Sequence, residues 1–334
     1  MVPVTAQVLD AEAVMPVKTP YYESRFVRAN HPDQPLALWL RETLLLPTVG
    51  APVAEVWVMV FDPDGAGNRA LKVGYPIGSS DYRYETGAST WTARIGDTTI
   101  DDESARGAIT GAGRSAAWDL SIAPGDQPPV KLLTERGYRA PFPTAKTMVR
   151  HPLATFDGQV EFDGARLGLQ HWVGSVNHNW GRRHTPAYAF GQVCGFDGAP
   201  DASLEIVTAH AAVGPISLLA ATLFVLRLGG REFAVRSIPG ARRTHGRYRP
   251  FSWSFGGRVG DVTMEGEITA EPSDVIGLTY FDTGGATKYC YNSALATCRI
   301  RLSGTGFTDE LVASRRAMFE ILLPEPHVAV PLLA

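Results

Sequence analysis

Cysteine is scarce in this chain: Cys194, Cys290 and Cys298 are the three among 334 residues. An odd number without regular spacing is no disulfide framework, and reduced thiols in a cytoplasmic protein are the simplest expectation. Cys290 and Cys298 lie on neighbouring segments, so a pairing under oxidation stays open. Long apolar runs are absent too. The longest, PISLLAATLFVL from Pro215 to Leu226, falls short of the roughly 20 residues that span a bilayer. It reads as a buried strand or a cavity wall. The opening segment MVPVTAQVLDAEAVMPV shows no basic stretch leading into an apolar one, so no secretory leader is expected. Charge of one sign is missing as well. A net charge of -3 gives no long-range pull on phosphate backbones or anionic lipid, which argues against nucleic acid as a partner.

Several catalytic and cofactor signatures are also missing. Gly111-Ala112-Gly113 lacks a third glycine and runs into a strand pattern, so no helix N-terminus follows to hold a phosphate. No nucleophile elbow, Walker motif or C-x-x-C spacing occurs. His171, His178 and His184 are candidate metal ligands by residue type, but their spacing matches no common zinc motif. No cofactor and no metal are expected.

Helical periodicity is sparse. Its best candidate is Thr308–Leu322, where Asp309 and Glu310 suit a helix start, although a strand reading also fits. Period-two alternation is common instead. Ala116, Trp118, Leu120 and Ile122 alternate with small and polar residues, and so do Val262, Met264 and Ile268. Both patterns mark half-buried strands. Asp163-Gly164 and Gly229-Gly230 separate such runs as short hairpin turns, and Gly111 to Gly113 forms a third. The expectation is an all-β chain of two β-barrel or β-sandwich domains with few short helices. The cluster from Pro141 to Pro152 suggests a boundary, giving domains 1–145 and 146–334.

Two stretches concentrate polar and aromatic residues. In SVNHNWGRRHTPAYAFGQ, His178 sits between Asn177 and Asn179 and beside Trp180. These residues suit a pocket in which histidine moves a proton, amides orient an oxygen and tryptophan forms a wall. A buried polar network pinning a strand crossing is the other reading. Alternation then places Tyr188, Phe190, Gln192 and Cys194 on one face. If that face is inward, Gln192 needs hydrogen-bond partners. The second stretch carries Tyr289, Tyr291 and Asn292, which either orient a ligand or close a barrel. Upstream, Glu23 lies among Tyr21, Tyr22 and Phe26. It is either a general acid raised by desolvation or the partner of Arg25, Arg28 or Arg41. Arg41 and Glu42 interrupt the apolar run LWLRETLLL, so one of them faces inward or lies at a junction.

The segments YYESRFVRANHPDQPLALWLRETLL, PFPTAKTMVRHPLATFDGQVEFDG, GSVNHNWGRRHTPAYAFGQVCGFD and GGATKYCYNSALA occur in order along most of the chain. Together they resemble the two-domain lipocalin-like proteins grouped with carotenoid 1,2-hydratase (hydroxyneurosporene synthase), tocopherol cyclase and the lipocalin-like Diels–Alderases. The most specific mark is G-x-x-x-H-x-W-G, here Gly174 to Gly181. Related sequences often carry Asp before that histidine, where this chain has Asn177. The resemblance implies two lipocalin-like domains and an apolar pocket in or between them. It implies a cyclase, hydratase or pericyclase acting on an isoprenoid or polyketide-like molecule, or else a carrier of such a ligand. His178 and Glu23 would then be the catalytic pair. Asn177, Asn179, Trp180, Tyr188, Gln192, Arg41, Tyr289, Tyr291 and Asn292 would bind substrate.

Overall fold

The structure is a computed structural model that describes residues 19–77, 82–83, 93–213, 216–327 and 329–334. The opening segment and Pro215, used above to judge leader and span, lie outside the described residues. Among the described residues no helix is long and apolar enough to cross a membrane.

The first sheet is built from β1 (Tyr21–Asn30), β2 (Ala37–Leu46), β3 (Val53–Phe61), β4 (Arg69–Pro76), β5 (Tyr82–Arg83), β6 (Ala93–Ile95), β7 (Thr98–Ile100), β8 (Ser104–Gly111), β9 (Arg114–Ala123), β10 (Val130–Lys131), β11 (Ala145–Phe162) and β12 (Ala165–Gly181). Its order is β4-β3-β2-β1-β12-β11-β9-β8-β7-β6-β5, with β10 beside β11. One short helix, α1 (Glu135–Arg139), sits between β10 and β11.

The second sheet holds β13 (Tyr188–Phe196), β14 (Ala199–Val213), β15 (Ile216–Leu228), β16 (Arg231–Val235), β17 (Thr244–Arg249), β18 (Ser252–Val259), β19 (Val262–Thr269), β20 (Ile276–Phe281), β21 (Thr287–Gly304) and β22 (Phe307–Leu323). Its order is β16-β15-β14-β13-β22-β21-β19-β18-β17, with β20 beside β21. All-β architecture is thus as expected. The hairpin turns also fall where their residues place them: Asp163 and Gly164, Ala112 and Gly113, and Gly229 and Gly230 all have positive φ.

Each sheet curls until its distant strands meet. The Ala70 carbonyl of β4 accepts a bond from Arg114 of β9, and the Thr222 carbonyl of β15 accepts one from Thr244 of β17. Three apolar cores result. One fills the first curled sheet around Val27, Leu40, Val58 and Trp172. Another fills the second around Ile206, Trp253, Phe255 and Phe319. The third lies between the sheets, where Phe26, Trp39 and Trp57 meet Ile276, Leu278 and Met318. Strands at that junction are buried on both faces, and every residue of β2 is buried.

Three expectations change here. The proline cluster marks no change of sheet. β11 begins at Ala145 inside the first sheet, and β12 pairs with β1. Pro141 and Pro143 only end an excursion through β10 and α1, and the chain crosses to the second sheet over 182–187. Thr308–Leu322 is strand, since β21 and β13 offer ladders on both of its edges, and pairing outweighs weak helix preference. Finally, Cys290 and Cys298 lie eight positions apart on β21 as buried free thiols. At about 3.3 Å per strand residue they are roughly 26 Å apart, which excludes their pairing.

The glycines of G-x-x-x-H-x-W-G have a steric reason. A Cβ at Gly174 would lie 1.8 Å from the Arg28 carbonyl oxygen, and one at Gly181 would lie 2.3 Å from that of Thr144. Both let neighbouring strands cross closely. Gly174→Ala must push β1 away and is expected to lose about 3 kcal/mol of stability, read by urea unfolding. An unchanged midpoint would contradict this packing.

Candidate functional site

Alternation along β1 and β12 divides the polar residues between two interiors. Glu23, Arg25 and His178 share parity with Val27 and Val176 and face into the first curled sheet. Phe26, Arg28, Ser175, Asn177 and Asn179 face the second sheet. A shift of one residue along a strand therefore decides which interior a side chain enters.

In the first interior, His178 Nε2 lies 2.7 Å from Glu23 Oε1, and the Tyr21 hydroxyl donates to Glu23 Oε2 at 2.7 Å. Arg25 is 3.4 Å from the same carboxylate. Burial holds the His178 pKa down, against the pull of Glu23. The His178 ring stacks on Trp180 at 4.4 Å, and Trp180 stacks on Tyr138. His178, Glu23 and Trp180 form one cluster, but none of them lines the cavity described below.

Between the sheets a second network joins β1 and β12 to β13 and β14. Arg28 Nε donates to Gln192 Oε1 at 2.6 Å, Nη1 to Asn30 Oδ1 at 2.7 Å, and Nη2 to Cys194 Sγ at 3.0 Å. The Ser175 hydroxyl also donates to Gln192 Oε1. Gln192 Nε2 donates to Asn177 Oδ1 at 2.8 Å and to Glu205 Oε2 at 2.9 Å. Asn177 Nδ2 donates to the Ser175 hydroxyl in turn. The amide of Gln192 thus has the partners its burial demands. Asn177 and Gln192 hold the sheets together here, and neither lines the cavity. Glu205 has Oε1 buried without a partner, and burial raises its pKa to about 8 despite Gln192 and Arg28.

Beside this network the sheets enclose a cavity of about 270 Å³. Phe26, Trp39, Phe190, Val207, Leu223 and Met318 supply apolar wall. Arg41, Asn179, His184, Tyr188, Tyr280 and Glu320 contribute to the polar lining, as do Lys146, Arg183 and Lys288. Arg41 Nε donates to Thr43 at 3.0 Å, and Nη1 donates to the Tyr280 hydroxyl. The guanidinium also lies over the Tyr280 ring, with its carbon 4.8 Å from the centroid. The Tyr188 hydroxyl donates to Glu320 Oε1, while Asn292 Nδ2 donates to Oε2 at 2.9 Å. Burial, then the nearby Glu320 charge, pushes the Tyr188 phenol far up, so it keeps its proton.

His184 stacks on Tyr22 at 3.8 Å, and its Nδ1 accepts the Thr283 N–H at 3.3 Å. Burial, helped by Arg41, lowers its pKa to about 3. It is therefore a neutral imidazole whose accepting Nδ1 leaves the proton on Nε2. Phe142, Ile238 and Phe281 are part-exposed and also line the cavity, which gives the entrance an apolar rim.

Of the eleven residues singled out in the sequence, Arg41, Asn179 and Tyr188 line the cavity. Asn292 supports it through Glu320. Tyr289 and Tyr291 instead face the second core, and the Tyr291 hydroxyl bonds to the His327 backbone. The three histidines weighed as ligands lie in three places: His171 beside Asp157 at an exposed edge, His178 on Glu23, and His184 on Tyr22. Sequence reading passed over Trp39, Tyr280 and Glu320. Period-two alternation from Arg41 back to Trp39, and from Leu322 to Glu320, was the available signal.

The chain is similar in fold to a Nitrosomonas europaea protein named as an AttH, with TM-score 0.56 and 11% identity over 91% of this chain and 92% of that one. Kievitone hydratase from Nectria haematococca matches at TM-score 0.55 and 8% identity, over 90% of this chain and 88% of that one. CghA, solved with Sch210972, matches at TM-score 0.59 and 11% identity, over 92% and 90%. The chain has the two-domain lipocalin-like fold of these proteins. No family profile matches it, and no curated protein matches it in sequence.

Two expected outcomes test the network. Gln192→Ala strands Arg28, Asn177 and Glu205 and should cost about 3 kcal/mol of stability, measured by urea unfolding. An unchanged midpoint would remove Gln192 from the lock. The second outcome concerns pH. Glu205 holds its proton to about pH 8 when folded, against an ordinary 4.5. Unfolding therefore releases a proton between those values, and stability falls as pH rises through that window. Glu205→Gln should flatten part of the fall, gaining on wild type at pH 8 relative to pH 5. Parallel curves for the two proteins would show that Glu205 ionises normally.

Proposed function

We propose that the chain is an enzyme that holds a hydrophobic small molecule, isoprenoid or polyketide-like, in the cavity between its sheets and hydrates, cyclises or folds it for cycloaddition. The observation that supports this is the division of the cavity lining. Aromatic and aliphatic side chains can hold a flexible apolar chain in one shape, which lowers the entropic part of a cyclisation barrier. Fixed donors on the polar wall can stabilise charge that develops on the substrate, and they act strongly where water is scarce. Tyr188, still protonated and bonded to Glu320, is the group placed to pass a proton; His184 Nε2–H and Arg41 are donors that keep their state near neutral pH. One protein of the same fold is named a hydratase, and this agrees with that reading.

A carrier without chemistry is the second reading. It draws on one observation: the His178–Glu23 pair faces the other interior, away from the cavity. Incubation with a lipid and polyketide extract, followed by mass spectrometry, separates the two. A hydratase adds the mass of one water, while a cyclase or pericyclase gives an isomer of shifted retention. Tyr188→Phe is expected to slow a proton-dependent conversion about 100-fold. A ligand that is retained in native mass spectrometry but never converted would leave the carrier reading standing and end the enzymatic one.

A further inference from the structure

Arg41 and Trp39 are buried donors in the cavity wall whose hydrogen-bonding capacity is not filled. Arg41 is 6% exposed and Trp39 is 1% exposed. They sit two positions apart on β2, both facing the second sheet, and both line the cavity. Trp39 Nε1 is buried without a hydrogen-bond partner. Arg41 spends one N–H on Thr43 and one on Tyr280. Among the described residues its Nη2 meets no acceptor, and no carboxylate lies within ion-pairing distance. Glu320 shares the cavity and its charge favours the Arg41 cation from a distance, while its oxygens accept bonds from Tyr188 and Asn292. The guanidinium instead lies near the rings of Trp39, Trp57 and Tyr280, at 5.6, 5.9 and 4.8 Å from their centroids.

Ring faces offset part of the cost of burying a cation, but they do not accept its N–H bonds in the plane of the guanidinium. An arginine cannot escape by losing its proton. A buried cation with no carboxylate in ion-pairing contact keeps room for a further partner, and a bound anion is a natural one. The planar fork matches a carboxylate or another delocalised acidic oxygen pair.

We propose that Arg41 and Trp39 form an anion subsite, and that the molecule bound in the cavity carries an acidic oxygen, such as a carboxylate or enolate, on an otherwise apolar frame. This rests on the cavity being the binding site. It adds the chemistry of one end of the ligand, with the apolar part left to the aromatic and aliphatic wall. The acid is recognised as its conjugate base, so no proton needs to move for binding.

Dodecanoic acid and 1-dodecanol test it, since they share a chain and differ in charge. Binding is read by quenching of tryptophan fluorescence and by calorimetry at pH 7.5. Wild type is expected to bind the acid at least tenfold more tightly than the alcohol. Arg41→Met keeps the length and apolar volume of the side chain and should abolish that preference, weakening the acid at least tenfold and the alcohol much less. Its melting temperature without ligand should hold, because the apolar contacts of the side chain are kept. Trp39→Phe keeps the ring, removes the N–H, and should reduce the preference severalfold. Equal binding of acid and alcohol to wild type would overturn the anion subsite and leave the cavity reading intact. Failure of both ligands to bind would count against the cavity itself. If Arg41→Met melts lower and weakens both ligands alike, Arg41 is a structural brace and the subsite is wrong.

Discussion

The rest of the structure depends on a fully buried guanidinium. Arg28 leaves β1 on the face that looks away from its own curled sheet, and it reaches Gln192 and Cys194 on the other. Gln192 then relays the contact to Asn177, Ser175 and Glu205. An apolar interface alone would permit the sheets to slide and rotate, because dispersion has little direction. Hydrogen bonds of fixed length between β1, β12, β13 and β14 specify one register. That register also sets which walls the cavity has. β1 and β13 carry Phe26 and Tyr188 into it from the same strands that carry the lock, and β2 beside β1 adds Arg41. The cavity is therefore a by-product of how the sheets are joined, and its shape is as rigid as the join.

Much of the fold was legible because strands and turns leave local marks. Val262, Met264 and Ile268 are buried as their alternation requires. Asp163-Gly164 turns β11 into β12. Sheet membership left no such mark. The proline cluster breaks the chain, but a break between strands says nothing about which partners the next strand finds. β11 returns to the first sheet because β12 must reach β1, a contact more than a hundred residues away in sequence. The site was half legible for a related reason. One of Arg41 and Glu42 was expected to face inward or lie at a junction, and both are buried; Gln192, if inward, was read as an amide needing partners, and it has them. Strands at the junction are buried on both faces, however, so alternation shows two interiors and does not say which is which. His178 and Asn179 are neighbours in sequence and enter different ones.

Fold alone leaves the reaction open, since one architecture hosts unrelated chemistries. What narrows it is the kind of polar group that each interior holds. The first contains a histidine–carboxylate pair with tyrosine and arginine, a set suited to exchanging protons. The cavity wall includes donors held in one state: a neutral imidazole and a permanent cation. Such a wall suits steady polarisation of a bound oxygen better than repeated proton shuttling. Tyr188 with Glu320 is the exception, and it stands on the face where β13 meets β22.

The titrating groups complete the division. Burial raises both Glu42 and Glu205 to about 8, and each has one carboxyl oxygen without a partner. Glu42 sits inside the first sheet against Thr98, and Glu205 sits in the lock against Gln192. His184, on the cavity wall, titrates near 3. Raising the pH from 6 to 9 thus changes charge in the supporting structure while leaving the imidazole, Tyr188 phenol and Arg41 guanidinium as they were. An ionised Glu205 would strengthen its attraction to Arg28 but pay its own desolvation, and burial is the larger effect in its raised pKa. The lock then loosens before these three groups alter. A fall in binding over that range that Glu205→Gln removed would report the geometry of the walls and not Lys146, which also lines the cavity and whose pKa burial lowers.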